Sequence, residues 1–310
     1  MLIGCAVTDV ALSTPVVLII FNRPEKTERV FAEIEKVRPS KLLVVGDGAR
    51  VDRASEIEKV VATRRIIERV NWPCEVLTNY SEINLGCKLR VSSGLNWVFE
   101  QVEQAIILED DCVPHPTFFK FCEELLERYR NNQSVGMIAG CNLQIRRNVN
   151  DYSYHFSNTT PIWGWSTWRD RWQSDYDLSM SKWPEIRDSG KLSEWFEIKK
   201  EHDSYKLIFE KVFQGLIDTW DYQWQFACRL NRRVAVVPNV NLISNIGFGV
   251  DATHTKEESY LASMVMEEIK FPLNHPQKVI EDNLMNKKNN ILSRSQILKK
   301  RLINLVKKFI

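Results

Sequence analysis

The chain reads as an α/β protein with a mostly parallel sheet flanked by helices. Three observations predict this. Short, continuous apolar runs recur, as in Pro15-Val16-Val17-Leu18-Ile19-Ile20-Phe21 and Ala105-Ile106-Ile107-Leu108. A strand buried on both faces of a parallel sheet has that uninterrupted character. Most of these runs alternate with stretches of helix length, and the alternation implies right-handed crossovers. The runs end in polar loops, Asn22-Arg23-Pro24, Gly46-Asp47-Gly48 and Glu109-Asp110-Asp111. Crossovers of one hand bring such loops to the sheet edge where open α/β folds bind ligands.

The first strand covers residues 15–21, and a helix follows over 26–37. Lys41-Leu42-Leu43-Val44-Val45 is the second strand, closed by Gly46-Asp47-Gly48-Ala49-Arg50, and 55–70 is a charged amphipathic helix. A short third strand is expected over 74–79. The turn Asn84-Leu85-Gly86 leads into a helix over 89–102 and then into the strand that carries the acidic triplet. A further strand is expected over 134–139. Beyond Tyr152 the composition shifts, with eight of the ten tryptophans between Trp163 and Trp224. Trp165, Trp168 and Trp172 recur at i, i+3 and i+7, the spacing of a buried helix face. Arg233-Val234-Ala235-Val236-Val237-Pro238 is another strand, before the glycine-containing loop Asn245-Ile246-Gly247-Phe248-Gly249. No Pro/Ser-rich spacer marks the shift near residue 150, so the two parts read as halves of one fold.

Length and composition are those of a globular protein of 310 residues. No apolar run reaches transmembrane length. The N-terminal stretch lacks a basic region, and Asp9 interrupts it, so no signal peptide is expected. Seven cysteines are scattered without a Cys-x-x-Cys pair. This favours reduced thiols in a cytoplasmic protein over a zinc site or a disulfide framework. The net charge of +2 hides an asymmetry: residues 278–310 hold nine Lys/Arg and two acids, a local +7, and the rest of the chain carries −5. That tail has one aromatic residue and no recognised motif, so nucleic acid is not an expected partner.

The acidic triplet carries the most chemistry. Three adjacent carboxylates repel, and a divalent cation relieves the conflict. Mg²⁺ and Mn²⁺ take oxygen ligands and bridge one or two carboxylates to substrate phosphates. A solvated acidic loop is the other reading. Asp47 sits at an equivalent strand end, where it can accept hydrogen bonds from a base or ribose, or serve as a turn aspartate. Asn22 and Arg23 follow the first strand in the same way. The planar fork of Arg23 suits a pyrophosphate, and in the other reading Arg23 is solvated. Lys88 and Arg90, at a helix start, are further diphosphate candidates.

The order of these loops resembles that of a nucleotide-sugar glycosyltransferase of the GT-A fold. Glu109-Asp110-Asp111-Cys112-Val113-Pro114-His115-Pro116-Thr117-Phe118-Phe119 resembles the donor-site segment of the N-acetylglucosaminyltransferase I family. Thr219-Trp220-Asp221-Tyr222-Gln223-Trp224 resembles its Trp-Asp segment. The stretch from Pro238 through Gly249 to His254 resembles the element that closes the donor site, with the Phe-Gly part standing here as Ile246-Gly247-Phe248-Gly249. Pro161-Ile162-Trp163-Gly164-Trp165-Ser166-Thr167-Trp168 is similar to a Gly-Trp-(Ser/Ala)-Thr-Trp element of bacterial glycosyltransferases. The resemblance implies a GT-A (Rossmann-like) unit over about 1–277, with a nucleotide-binding half over about 14–145 and an acceptor-binding half over about 146–277. It implies that Asp111, and in one reading His254, binds Mn²⁺ or Mg²⁺. Glu109 and Asp110 would face the ribose, the sugar or metal-bound waters, and Asp221 would be the base of an inverting displacement. Trp163 and Trp165 would stand beside the sugar. The implied donor is a UDP-sugar, and the implied acceptor a surface polysaccharide or lipid-linked glycan. A sugar-phosphate nucleotidyltransferase and a non-catalytic glycan-binding protein are the competing readings.

Residues 295–310 place Leu298, Leu302, Leu305, Val306 and Phe309 on one helical face and Lys299, Lys300, Arg301 and Lys308 towards the other. This is the pattern of a helix lying on an anionic membrane surface, or of one docked on protein.

Overall fold

The computed structural model describes residues 11–143, 151–196, 198–248 and 264–279. His254 and residues 295–310 lie outside the described residues. In chain order the first half holds β1 (Val16–Ile20), α1 (Pro24–Val37), β2 (Lys41–Gly46), α2 (Ala54–Ile67), β3 (Glu75–Tyr80), α3 (Gly86–Gln101) and β4 (Gln104–Glu109). These match the strand–helix alternation read from the sequence. Next come β5 (Cys112–Pro114), α4 (Thr117–Tyr129), β6 (Val135–Ala139), β7 (Tyr154–Ser157), β8 (Trp165–Trp168) and α5 (Arg169–Asp175). The short helix α6 (Trp183–Asp188), a 3₁₀ turn (Lys191–Trp195) and the longer α7 (Lys199–Phe213) precede α8 (Asp221–Leu230), β9 (Val234–Pro238) and β10 (Ile243–Asn245).

Among the described residues, eight strands form one sheet in the order β3-β2-β1-β4-β8-β6-β9-β7. All but β7 and β8 point the same way. The alternation of strand side chains divides the apolar interior into two layers. Val16, Leu18, Ile20, Leu42, Val44, Ile106 and Leu108 face α1, α2 and α4. Val17, Ile19, Leu43, Val45, Ala105 and Ile107 face α3, α5 and α8. A third cluster joins α6 and α7 to the outer side of α8 through Trp183, Phe209 and Phe226.

The helix expected across the tryptophan stretch is a correction. Trp165 and Trp168 belong to β8, which inserts antiparallel between β4 and β6. Three residues apart on a strand, they point to opposite faces, Trp168 into the α4 layer and Trp165 into the α8 layer. Only Trp172 stands on a helix, α5. Two apolar layers, each taking one indole, produce the spacing that a single helix face would produce.

α3 lies against the sheet with almost no clearance. A Cβ on Gly94 would come 2.3 Å from Cγ1 of Val45, a buried side chain with stiff χ1. Gly94→Ala gains helix propensity but forces this contact apart. A net loss of about 1–2 kcal/mol is expected, measured as a lower urea midpoint at unchanged slope.

The parallel strands set the site. Ile20 pairs with Gly46, and Ile19 with Glu109, so the loops after β1, β2 and β4 open on one edge. β8 runs the other way, with Trp165 paired to Ile107 and Ala139, so Trp163 precedes it at that same edge. β5 and β10 pair as a separate two-stranded ribbon beside the acidic loop.

Candidate active site

Arg23 dominates the centre of the edge. It ends the three-residue connection from β1 and is the N-cap of α1, with Pro24 opening the helix. Its carbonyl accepts from the N–H of Lys26 and Thr27 at 3.1 and 2.9 Å, so the backbone is held. Its guanidinium bridges two carboxylates: Nη1 donates to Asp111 Oδ2 at 2.7 Å, and Nη2 donates to Asp110 Oδ1. Burial opposes its charge, but Asp110 and Asp111 outweigh this and raise its pKa.

The three acids are not equivalent. Asp110 is 1 % exposed and also accepts from the Phe21 N–H at 3.3 Å, so both of its oxygens are engaged. Asp111 meets Arg23 through Oδ2, while among the described residues its Oδ1 has only the weak Cys112 Sγ contact at 3.6 Å. Glu109 is partly exposed, and no hydrogen-bond donor reaches its carboxylate among the described residues. Burial first, then the charges of Asp111 and Asp110, hold the Glu109 carboxyl well above the usual range, and Asp221 adds to the effect. Asp110 is also raised, by burial above all.

Asp221, at the start of α8, therefore stands close enough to Glu109 to act on it electrostatically. Its Oδ1 accepts from the Thr219 hydroxyl. Its backbone is fixed by the packing of Trp220 and Trp224, which share the α8 layer with Trp165 and Trp172. Tyr176 donates to the Trp220 carbonyl at 3.2 Å, and burial, then the Asp221 charge, raises its phenol pKa.

The ribbon covers the other side of Asp111. The Ile246 N–H donates to the Asp111 carbonyl at 2.8 Å, and the Gly247 N–H to Asn245 Oδ1 at 2.7 Å. A Cβ on Gly247 would lie 2.1 Å from Asp111 Oδ2, so only glycine lets this backbone close over the carboxylate. Phe248 then meets Trp163 edge-on, with ring centroids 5.6 Å apart. Trp163 is partly exposed and stands at the edge, as a sugar-facing ring requires. Trp165 does not: it is 1 % exposed, and Trp220 stacks on it at 5.7 Å. Its face is taken by the core.

The remaining residues singled out from sequence are occupied locally. Asp47 accepts from the N–H groups of Gly48, Leu85 and Gly86 at 2.9, 2.9 and 3.0 Å, and from Asn84 Nδ2 at 3.0 Å. It staples the loop after β2 to the start of α3. Asp218 supplies a second carboxylate there, accepting from the Lys88 N–H at 3.2 Å. The helix start expected to receive a diphosphate thus already holds two anions. Lys88 keeps a partly exposed ammonium, whereas Arg90 is buried and donates to the Asn79 carbonyl and Oδ1 at 2.8 and 2.6 Å. Asn22 donates to Glu56 Oε1 at 2.7 Å. Sequence reasoning missed Glu56 and Asp218, which reach the site through Asn22 and Lys88, 34 and 130 residues away along the chain, so no local pattern joins them to it. The loop holding Gly247 is read from the sequence, but its contact with Asp111, 136 residues away, is not.

Among the described residues no group of three His, Cys, Asp or Glu side chains forms a ready metal cage. Mg²⁺ and Mn²⁺ do not need one, because waters and substrate phosphates fill most of their positions. Among the described residues, Asp111 Oδ1, met only by the weak Cys112 Sγ contact, and the Glu109 carboxylate have the hard-oxygen chemistry these ions take.

No protein-family model matches the chain, and no curated protein sequence matches it. A solved structure of UDP-glucose pyrophosphorylase complexed with UDP-glucose is similar to it at a TM-score of 0.37 and 8 % identity, covering 73 % of this chain and 90 % of that one.

Proposed function

We propose that the protein is a metal-dependent glycosyltransferase that moves a sugar from a nucleotide donor, UDP-linked, to a glycan hydroxyl with inversion. The observation that carries this reading is the Arg23 guanidinium bridging Asp110 and Asp111 at the carboxyl edge of the sheet, with Glu109 beside them and within electrostatic reach of Asp221. Asp111, with waters, would hold Mn²⁺ or Mg²⁺, and the ion would neutralise the charge that develops on the departing diphosphate. Asp110 orients Arg23. Glu109 faces the ribose or sugar. Asp221 takes the proton of the acceptor hydroxyl as it attacks, and the Thr219 hydroxyl orients that carboxylate. Trp163 offers a ring face to the sugar. Residues 1–277 form the catalytic unit, and His254 is a further candidate ligand.

A nucleotidyltransferase needs a Gly-rich, basic loop to wrap a triphosphate after the first strand. Here β1 and α1 are joined by Phe21-Asn22-Arg23 alone. A glycan-binding protein needs neither the triplet nor Asp221. The three readings separate in one assay. Free UDP released from a UDP-sugar on addition of acceptor supports transfer, and pyrophosphate-dependent formation of UTP supports the nucleotidyltransferase. Silence in both, with glycan binding retained, supports the binding protein. A thermal-shift screen of nucleotide sugars with and without Mn²⁺ identifies the donor, because a ligand of the native state raises its stability.

The basic, amphipathic sequence pattern of residues 295–310 supports an acceptor at the cytoplasmic face of a membrane. No helix among the described residues is long and apolar enough to cross a bilayer. Each basic residue near an anionic leaflet contributes about 1 kcal/mol, screened by salt. Deleting 295–310 is expected to abolish sedimentation with anionic vesicles and to slow transfer to a lipid-linked acceptor, leaving transfer to a small soluble analogue nearly unchanged. Continued sedimentation, or unfolding, assigns the segment to the protein body.

A further inference from the structure

The position of Arg23 has a consequence for how ligands enter. Its guanidinium spans Asp110 and Asp111 and lies on the oxygen of Asp111 that faces Gly247. A divalent ion at Asp111 would stand beside this cation, and like charges at such separations repel strongly in a partly buried site. Arg23 must therefore turn away for the ion to bind well. Its backbone cannot follow, because the carbonyl is tied to Lys26 and Thr27 and Pro24 fixes the helix start. The side chain can move: it is 21 % exposed. Turning away strands a desolvated guanidinium unless an anion receives it, and a diphosphate is the anion a planar fork matches.

We infer that Arg23 is a resident counter-cation that couples metal to diphosphate. In the free protein it holds Asp110 and Asp111, and it releases Asp111 only when a nucleotide diphosphate arrives to take its place. Metal alone binds weakly, and metal and nucleotide bind together. This rests on the proposed reading of the site as one for a metal and a nucleotide sugar.

The test is a thermodynamic cycle. Mn²⁺ affinity is measured by electron paramagnetic resonance with and without UDP, in the wild type and in Arg23→Gln. Removing the cation is expected to tighten Mn²⁺ alone about tenfold and to shrink the mutual enhancement between Mn²⁺ and UDP by a similar factor, since coupling between two ligands is reciprocal. Direct metal–phosphate contact accounts for what enhancement remains. Unchanged or weaker binding of Mn²⁺ alone to Arg23→Gln, while the wild type keeps Mn²⁺-dependent UDP binding, overturns the coupling role and leaves the site reading intact. If neither protein takes Mn²⁺ under any condition, the site reading falls and the inference falls with it.

A second measurement uses the wild type alone and does not depend on the variant folding. The guanidinium nitrogen signals of Arg23, assigned by their loss in Arg23→Lys, are expected to move when Mg²⁺ and UDP are added together. They are expected to stay in place with the same concentration of Mg²⁺ alone. A full shift with Mg²⁺ alone, or none with both, also overturns the inference.

Discussion

Asp111→Asn is expected to bind UDP no better with Mn²⁺ than without it, and to remain folded. The side chain is 12 % exposed. The tie to the covering ribbon runs through its backbone carbonyl, which the substitution leaves alone. The negative charge and one oxygen are lost, and with them the ion pair to Arg23; a hard divalent ion depends on that charge. Isothermal calorimetry of UDP with and without Mn²⁺ measures the effect, and an unchanged melting temperature confirms the fold. Mn²⁺-dependent affinity equal to the wild type would remove Asp111 from the metal site.

Asp221→Asn should separate chemistry from binding. The amide oxygen can still accept from the Thr219 hydroxyl, so the start of α8 keeps its shape. What the amide cannot do is take a proton. Turnover at saturating substrates should fall by about 10²-fold or more, the usual cost of losing a general base. Donor affinity should stay near that of the wild type. Near-normal turnover rules Asp221 out as the base, and lost donor affinity points instead to a binding role.

The part of the fold that could be read in the sequence is the part built from local signals. β1, β2 and β4 are apolar at every buried position, because helices cover both faces of the sheet. The helices between them follow from their length and charge. β8 was not legible, because its insertion between β4 and β6 is a long-range pairing and its two indoles serve different layers. Nor was the α6–α7 cluster, whose apolar residues pack on the outer side of α8. In the site, the triplet and Arg23 announced themselves as charges at strand ends. That Arg23 would grip the triplet itself, and that Asp47 and Asp218 would fill the start of α3, are facts of three-dimensional placement. Candidate roles follow from residue type, but which partner claims each side chain is decided by the loops that the fold brings together.

The indoles of Trp165, Trp172, Trp220 and Trp224 lie within 5.4–6.4 Å of one another in five of their pairings. Aromatic transitions that close exchange excitation, and the sign and size of the resulting near-ultraviolet circular dichroism depend on the angles between rings. Two of these rings ride on the first turns of α8 or just before it, next to Asp221, while Trp165 is fixed in the sheet. The protein thus carries an optical gauge of its own. A displacement of the carboxylate-bearing end of α8 against the sheet would alter the exciton signal without any label, giving a direct read-out of whether acceptor entry moves that helix.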